Sequence, residues 1–449
     1  MERREYFGTS GIRGRVGETV TADLALAVGR ALAADADTVV VGRDPRASGG
    51  FLADALAAGV AECGGDVVDI GPAATPTVAR SVAWQDADAG VSVTASHNPP
   101  EYNGLKLWQP SGQAFDTPKQ DAVVERLVAE EFPLAGWDDA GRRREWGEAR
   151  RRHRDAITDA VDVDPADAPS VVVDVGNGAG GVSVDALTEL GCDVETLNAQ
   201  PDGRFPGRPS EPTAENCASL CDLVASSDAD LGIAHDGDAD RMMAVTGDGD
   251  FVSGDALLAI FAASIADAGD RVAAPVDTSL MVADALDDVG ADLVRTRVGD
   301  VYVAERAADP DVVFGGEPSG AWIFPGETRC PDGPLAAAKL AALVADEPLA
   351  ERVAALDPYP IRRGSYEVPD KTATMERIRE RVLDGGDDVD TLDGVRVDLG
   401  DAWYLVRASG TEPIVRVTAE ARDEARADDV FADAEALVAD AADAADIAD

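Results

Sequence analysis

The chain has 449 residues, of which 86 are acidic and 39 basic, for a formal net charge of −47. Such a balance excludes nucleic acid as a partner, because a phosphate backbone demands basic surface. A hydrophobic fraction of 45% with clear periodicity points to folded cores rather than disorder, and the length points to about three domains, give or take one.

Lysine occurs only at positions 106, 119, 339 and 371, so the surface is aspartate-rich and lysine-poor. This is a halophilic pattern, since near molar salt the Debye length falls to about 3 Å and the self-repulsion is screened. The cysteines, Cys63, Cys192, Cys217, Cys221 and Cys330, are odd in number and scattered, as in a reduced, cytoplasmic protein. Cys217 and Cys221 share a helix face and read as core, because only three histidines exist to complete a zinc site. The N-terminal stretch lacks the apolar run of a signal peptide. The longest apolar run, Ala256 to Ala263 and a little beyond, is far shorter than the roughly 20 residues of a membrane span.

In chain order, one plan occurs three times: a valine-rich strand, a polar or glycine loop, an amphipathic helix, then Gly and Asp leading into another strand. It covers Thr38 to Ile70 through Arg43-Asp44-Pro45-Arg46, Ser170 to Leu197 through Asn177-Gly178-Ala179-Gly180, and Arg271 to Val298 through Asp277-Thr278-Ser279. Three βαβ units predict three similar mixed α/β domains with right-handed crossovers and loops at the strand C-terminal edges. Between the first two, Trp137 to Val161 is rich in arginine without strand alternation and reads as a connecting helix whose arginines pair with nearby acids. After Asp357-Pro358-Tyr359-Pro360, a strand at Tyr366 to Val368, a helix over about Lys371 to Leu383, alternating strands and an Ala/Asp helix predict a smaller C-terminal α+β domain. The expected domains are 1–150, 151–252, 253–357 and 358–449, with loops converging on a central cleft.

Thr94 to Gly104 reads T-A-S-H-N-P-P-E-Y-N-G. Pro99 and Pro100 lack amide donors and push Asn98 towards extended geometry, so Ser96 lies on a stiff loop fed by the strand Ala89 to Val93. Asp236, Asp238 and Asp240 alternate on a tight turn, an all-oxygen set suited to a hard divalent cation. Arg241 stands where an EF-hand needs glycine, which rejects a calcium loop of that kind. Glu317 and Ser319, flanked by Gly316 and Gly320, can bond adjacent sugar hydroxyls. Arg407, Ser409, Gly410 and Thr411, with Arg416 as a second cation, combine the groups that grip a phosphate. A hydrolase nucleophile would need a freely placed base; His97 is the immediate neighbour of Ser96, and no G-x-S-x-G elbow exists.

The string around Ser96 resembles the phosphoserine loop of the α-D-phosphohexomutases, the phosphoglucomutase/phosphomannomutase superfamily. Four further matches follow in that family's order: F-G-T-S-G-I-R-G (Phe7 to Gly14), D-G-D-A-D-R (Asp236 to Arg241), G-E-P-S-G (Gly316 to Gly320) and R-A-S-G-T-E-P (Arg407 to Pro413). The resemblance implies that Ser96 carries a transferable phosphoryl group and that one Mg²⁺ per chain sits on Ser96, Asp236, Asp238 and Asp240. It implies that Arg13, His97, Lys106 and Arg241 stabilise charge in transit, and that Glu317 and Ser319 hold the sugar. Arg407, Ser409, Gly410, Thr411 and Arg416 would hold its phosphate, and a sugar bisphosphate would act as intermediate and activator. The partner implied is a small sugar phosphate, in a monomer or homodimer. A metal-dependent sugar phosphatase would have no use for the remote phosphate grip, and a non-catalytic sensor would be expected to lack Ser96 or one of the aspartates.

Within that family the turn Val298-Gly299-Asp300 resembles the archaeal-type phosphoglucosamine branch rather than the glucose and mannose branches, which carry histidine there. Asp300 offers a carboxylate to an ammonium substituent. The expected reaction interconverts glucosamine 6-phosphate and glucosamine 1-phosphate, with mannose or glucose phosphates as the alternative. Ala321 stands where a histidine usually follows the sugar loop, which leaves the general base unassigned.

Overall fold

The computed structural model describes residues 7–8, 11–385, 388–409 and 414–446. They form two compact units, one of the described residues within 1–257 and 299–354, the other of those within 258–298 and 355–449.

The first unit contains a seven-stranded sheet whose centre is the parallel trio Asp66–Pro72, Thr38–Arg43 and Ala89–Val93. These valine-rich strands are buried on both faces, as continuous apolar strands require; Val39, Val40, Val67, Val68 and Val91 have no exposed surface. Full burial of each such side chain contributes about 1.5–3 kcal/mol. The helix Gly49–Glu62 makes the crossover between the first two. Tyr102–Trp108 then returns antiparallel to Ala89–Val93 and pairs on its other side with Gly11–Arg15. The 94–101 loop is therefore the connection of an antiparallel pair.

Trp137 to Val161 departs from the expected single helix. Arg143–Glu145 forms a parallel edge strand on Asp66–Pro72, and the helix proper is Ala149–Ala160. Three residues are too few for alternation to register, and the strand is fixed from outside its own sequence, by Arg143 bonding both Asp69 and Asp54. The other arginines pair as expected, Arg150 with Asp185, Arg151 with Glu148 and Arg154 with Asp155.

A second sheet orders Met242–Thr246, Leu231–His235, Ser170–Asp174 and Asp193–Leu197. The parallel pairing of Ser170–Asp174 with Asp193–Leu197 is the second βαβ repeat, and Leu231–His235 pairs in parallel with the other side of Ser170–Asp174. Leu231–His235 and Met242–Thr246 form a hairpin, and the aspartate loop is its tip. Cys217 and Cys221 join the hydrophobic cluster behind this sheet. The unit also holds the antiparallel pair Val312–Glu317 and Ala321–Ile323.

In the second unit Arg271–Pro275 and Asp292–Thr296 pair in parallel across the helix Leu280–Val289, the third βαβ repeat. A five-stranded antiparallel sheet follows, ordered Ile361–Glu367, Ile414–Ala421, Ala402–Ala408, Val395–Asp398 and Asp388–Asp390. Helices Lys371–Gly385 and Glu424–Asp446 contact it. The fold class is thus mixed α/β with a smaller C-terminal α+β region, as the sequence predicts. Among the described residues no helix is long and apolar enough to cross a membrane.

Candidate active site

The site in the first unit is built where two loops meet. Ser96 has a left-handed backbone, φ 51°, a conformation that costs a non-glycine residue about 1–3 kcal/mol and that the surroundings must enforce. Its amide donates to Thr94 Oγ1 at 2.9 Å. Its hydroxyl donates to Asp236 Oδ2 at 2.5 Å, so the serine and the first loop aspartate touch across 140 residues of chain. Gly104 lets the returning strand pass at this point, since a Cβ there would meet Ile12 O at 2.2 Å and Thr94 O at 2.9 Å.

Asp236, Asp238 and Asp240 are all buried, with one oxygen of each within 4.8 Å of the others. Thr75 pins the middle one twice, its Oγ1 donating to Asp238 Oδ2 at 2.6 Å and its amide to Asp238 O at 2.8 Å. Lys106 Nζ bonds Asp238 Oδ2 at 3.0 Å and also Asp240 Oδ2. Burial followed by repulsion from Asp238 and Asp240 pushes the Asp236 carboxyl well above the usual range. Burial and Asp238 also raise Asp240. Burial alone would raise Asp238 as well, but Lys106 and Thr75 outweigh it and hold this carboxylate low. The same contacts overcome burial at Lys106 and keep its ammonium protonated.

A divalent cation fits this donor set. Three crowded carboxylates outnumber the one lysine bonded to them, and Asp238 Oδ1 is buried with no hydrogen-bond partner, a position that a positive ligand would satisfy.

Arg13, on the strand Gly11–Arg15, bonds Asn98 Oδ1 at 2.8 Å. Arg241 closes the aspartate loop by donating its amide to Asp236 Oδ1 at 3.2 Å, and its guanidinium lies 3.5 Å from Glu211. The effect of Asp236 and Asp240 on Arg241 exceeds its burial and raises it, whereas burial lowers Arg13. His97 lies among these cations. Burial, then Arg241, Arg13 and Lys106, depress its imidazole to about 2, so at neutral pH it is an uncharged hydrogen-bonding group among cations and not itself a cation.

The sugar-loop residues lie on the same unit and are tied to the aspartate loop. Met242 donates its amide to Gly320 O at 2.9 Å, and Arg241 makes an antiparallel bridge to Ala321. Glu317 Oε1 accepts the Gly299 amide at 2.6 Å and Ser319 Oγ lies 3.3 Å from Glu317 Oε2. Asp300 opens the helix Asp300–Arg306 and is close enough to act electrostatically on Arg13, Lys106 and Asp240.

The second unit carries Arg407, Ser409 and Arg416. Arg407 pairs with Asp393 at 3.1 Å, each side chain about a quarter exposed. Asp393 Oδ2 also accepts the Val298 amide. Lys371 Nζ donates to Ser409 O at 2.6 Å. Gly410 and Thr411 lie outside the described residues, as do Thr9 and Ser10 of the N-terminal motif.

Profiles of phosphoglucomutase/phosphomannomutase α/β/α domains I, II and III match residues 4–134, 151–249 and 253–359, and the C-terminal domain profile matches 365–437. The chain belongs to the phosphoglucomutase/phosphomannomutase family. A "Probable phosphoglucosamine mutase" of Methanosarcina acetivorans is 47% identical over 441 residues, covering 97% of this chain and 99% of the relative. One of Methanopyrus kandleri is 46% identical over 432 residues, covering 94% and 95%. A solved phosphoglucomutase/phosphomannomutase family protein from Burkholderia thailandensis superimposes with a TM-score of 0.87 at 29% identity, covering 98% of each chain.

Sequence reasoning missed the residues that support this family's loops here. Thr75 is one. Another is Asp332, which bonds Arg80 at 2.8 Å and His153 at 3.1 Å and caps the helix Gly333–Asp346 through the Leu335 amide. That helix begins against the aspartate loop, where a Cβ on Gly333 would meet Arg241 O at 2.5 Å. Arg208 bonds Asp174 and His235 O, each at 2.6 Å, just before Asp236.

Proposed function

We propose that the protein is a phosphohexomutase that interconverts glucosamine 6-phosphate and glucosamine 1-phosphate through phospho-Ser96 and a sugar bisphosphate. The observation that carries this reading is the 2.5 Å contact of Ser96 Oγ with Asp236, in a buried cluster of three carboxylates with Lys106, Arg13, Arg241 and neutral His97. Phosphoryl transfer needs little covalent apparatus and depends on positioning and charge neutralisation. The bond from phosphorus to the Ser96 oxygen breaks as one forms to a sugar hydroxyl; in net balance the proton that hydroxyl loses is taken up by the Ser96 oxygen as it leaves. The bisphosphate reorients, and its other phosphoryl group returns to Ser96.

Lys106, Arg13 and Arg241 offset the charge on the migrating group, and His97 contributes a hydrogen bond. Asp236, Asp238 and Asp240, with an oxygen on Ser96, would hold one Mg²⁺, which supplies electrostatic neutralisation when bound. Glu317 and Ser319 would orient the sugar hydroxyls, and Arg407, Ser409, Gly410, Thr411 and Arg416 its phosphate. The domains carrying these loops would be 1–150, 151–252, 253–357 and 358–449. The charge of −47 supports a protein that works near molar salt.

Two observations favour the amino sugar over its alternatives: the names of the relatives, and the carboxylate of Asp300 close to Arg13, Lys106 and Asp240. A charged contact to an ammonium group is worth about 1–3 kcal/mol of discrimination, tenfold to hundredfold. The test is kcat/KM for glucosamine, glucose and mannose 1-phosphates at equal high salt with a bisphosphate primer. Preference for glucose or mannose would refute the Asp300 argument, and no turnover of any of the three would refute the mutase reading.

A further inference from the structure

We propose that Arg46 is a positioning residue that presets Ser96 for phosphoryl transfer, by gripping the backbone of the 96–102 loop from beneath; this rests on the reading of Ser96 as the phosphoryl carrier. The loop has an accounting problem. Pro99 and Pro100 supply no amide donors, and the loop's carbonyls turn inward where no strand faces them. Arg46 answers it with all five of its N–H groups. Nε donates to Asp44 Oδ2 at 2.9 Å, Nη1 to Pro99 O at 2.6 Å and Tyr102 O at 3.0 Å, and Nη2 to Ser96 O at 2.8 Å and Asn98 O at 2.6 Å. Neither side chain of the Arg46–Asp44 pair has exposed surface.

Asp44 completes the grip from the other side of Ser96. Its Oδ1 accepts the Arg46 amide at 3.0 Å, and its Oδ2 accepts Thr94 Oγ1 at 2.8 Å. That hydroxyl in turn accepts the Ser96 amide. Both backbone polar groups of Ser96 are thus anchored to one buried ion pair, which maintains the left-handed conformation and aims the hydroxyl at Asp236. A lysine could keep the charge but has one nitrogen and no planar fork with which to reach four carbonyls.

The second domain seals the arrangement. The Phe205 ring lies over the Arg46 guanidinium, 4.9 Å from its centroid. Gly203 packs where a Cβ would meet Arg46 Cα at 2.3 Å, and Ser210 Oγ donates to Ser96 O at 2.9 Å. Arg46 touches none of the reacting atoms, so it acts through the placement of the loop that carries Ser96.

The experiment compares wild type, Arg46→Lys and Phe205→Ala in the full chain, reading kcat, KM, the thermal midpoint, and the rate at which a sugar bisphosphate phosphorylates Ser96 by intact mass. Arg46→Lys is expected to lose at least a hundredfold in kcat and in Ser96 phosphorylation rate, with KM within about threefold of wild type. Phe205→Ala, which leaves every hydrogen bond of Arg46 in place but admits water, is expected to lose about tenfold in the same two rates. A folded Arg46→Lys protein with wild-type kcat overturns the proposal. If Arg46→Lys does not fold, wild-type rates in Phe205→Ala overturn it. Absence of turnover and of a phosphorylated Ser96 in the wild type would instead bring down the mutase reading.

Discussion

The two regions assigned to chemistry and to phosphate binding are built on opposite principles. Around Ser96 and Asp236 the polar groups are buried and multiply bonded: Arg46 makes five hydrogen bonds, Lys106 bridges two carboxylates, and Thr75 holds Asp238 through both backbone and side chain. Arg407, in the other unit, has a partly exposed ion pair with Asp393 on a strand that leads out of the described residues. Buried, multiply bonded networks fix geometry, because a displacement breaks several hydrogen bonds in low dielectric. A partly exposed arginine can exchange a carboxylate for a phosphate at little cost. On the proposed reading, the contrast would separate a region set for the transition state from a grip that takes up and releases ligands.

The largest test of this contrast is Ser96→Ala, expected to lower turnover on the order of 10⁴-fold or more while sugar-phosphate affinity stays near wild type. Isothermal titration and steady-state rates on the same preparation check it, and full activity would end the phosphoserine mechanism. Next is Asp238→Asn. It removes the most acidic of the three carboxylates, and the Mg²⁺ concentration for half-maximal rate should rise by roughly a hundredfold; an unchanged titration would make the loop a solvated acidic turn.

Arg407→Ala should act on the other region and the other constant, raising KM about tenfold to hundredfold with kcat nearly kept, the value of charged hydrogen bonds to phosphate. Equal losses in kcat would show that the grip acts in the transition state, and the contrast would fail. Asp393→Asn, which frees Arg407 of a competing carboxylate, should lower KM only a few-fold, the scale of an exposed pair. Unfolding measured in urea from pH 7.5 to 4.5 probes the buried side. Burial holds the His153 imidazole below its ordinary 6.5 despite Asp332, so below that pH the unfolded chain takes up a proton that the folded one refuses. Stability is therefore complete above about pH 6.5 and falls with pH down to the folded value, by about 1.4 kcal/mol per unit of depression. His97 and His235 are depressed by burial in the same way and add to that slope, so His153→Gln should lessen it in part; an identical slope would show that His153 does not contribute. The smallest effect expected is on KM as salt rises, a few-fold weakening through screening at Arg407 with kcat unchanged.

Much of this was legible without coordinates. The three βαβ repeats were predicted by valine runs and helical periodicity and are present as parallel pairs. The Ser96 and aspartate loops were predicted by punctuation, since Pro99, Pro100 and Gly237 interrupt periodic segments. The charge of His97 was not legible, because it depends on three cations brought from residues 13, 106 and 241.

The sequence by itself determined which side chains can do chemistry and on which kind of element each sits, because hydrophobic period and turn chemistry are local properties of a few neighbouring residues. Only the tertiary structure decided what holds them. The hold of Arg46 on four carbonyls, the bond from Ser96 to Asp236, the Arg80–Asp332–His153 cluster and the edge strand Arg143–Glu145 all join residues distant along the chain. Carbonyl acceptors are the same for every residue type, so a hydrogen bond to one leaves no letter in the sequence to mark it.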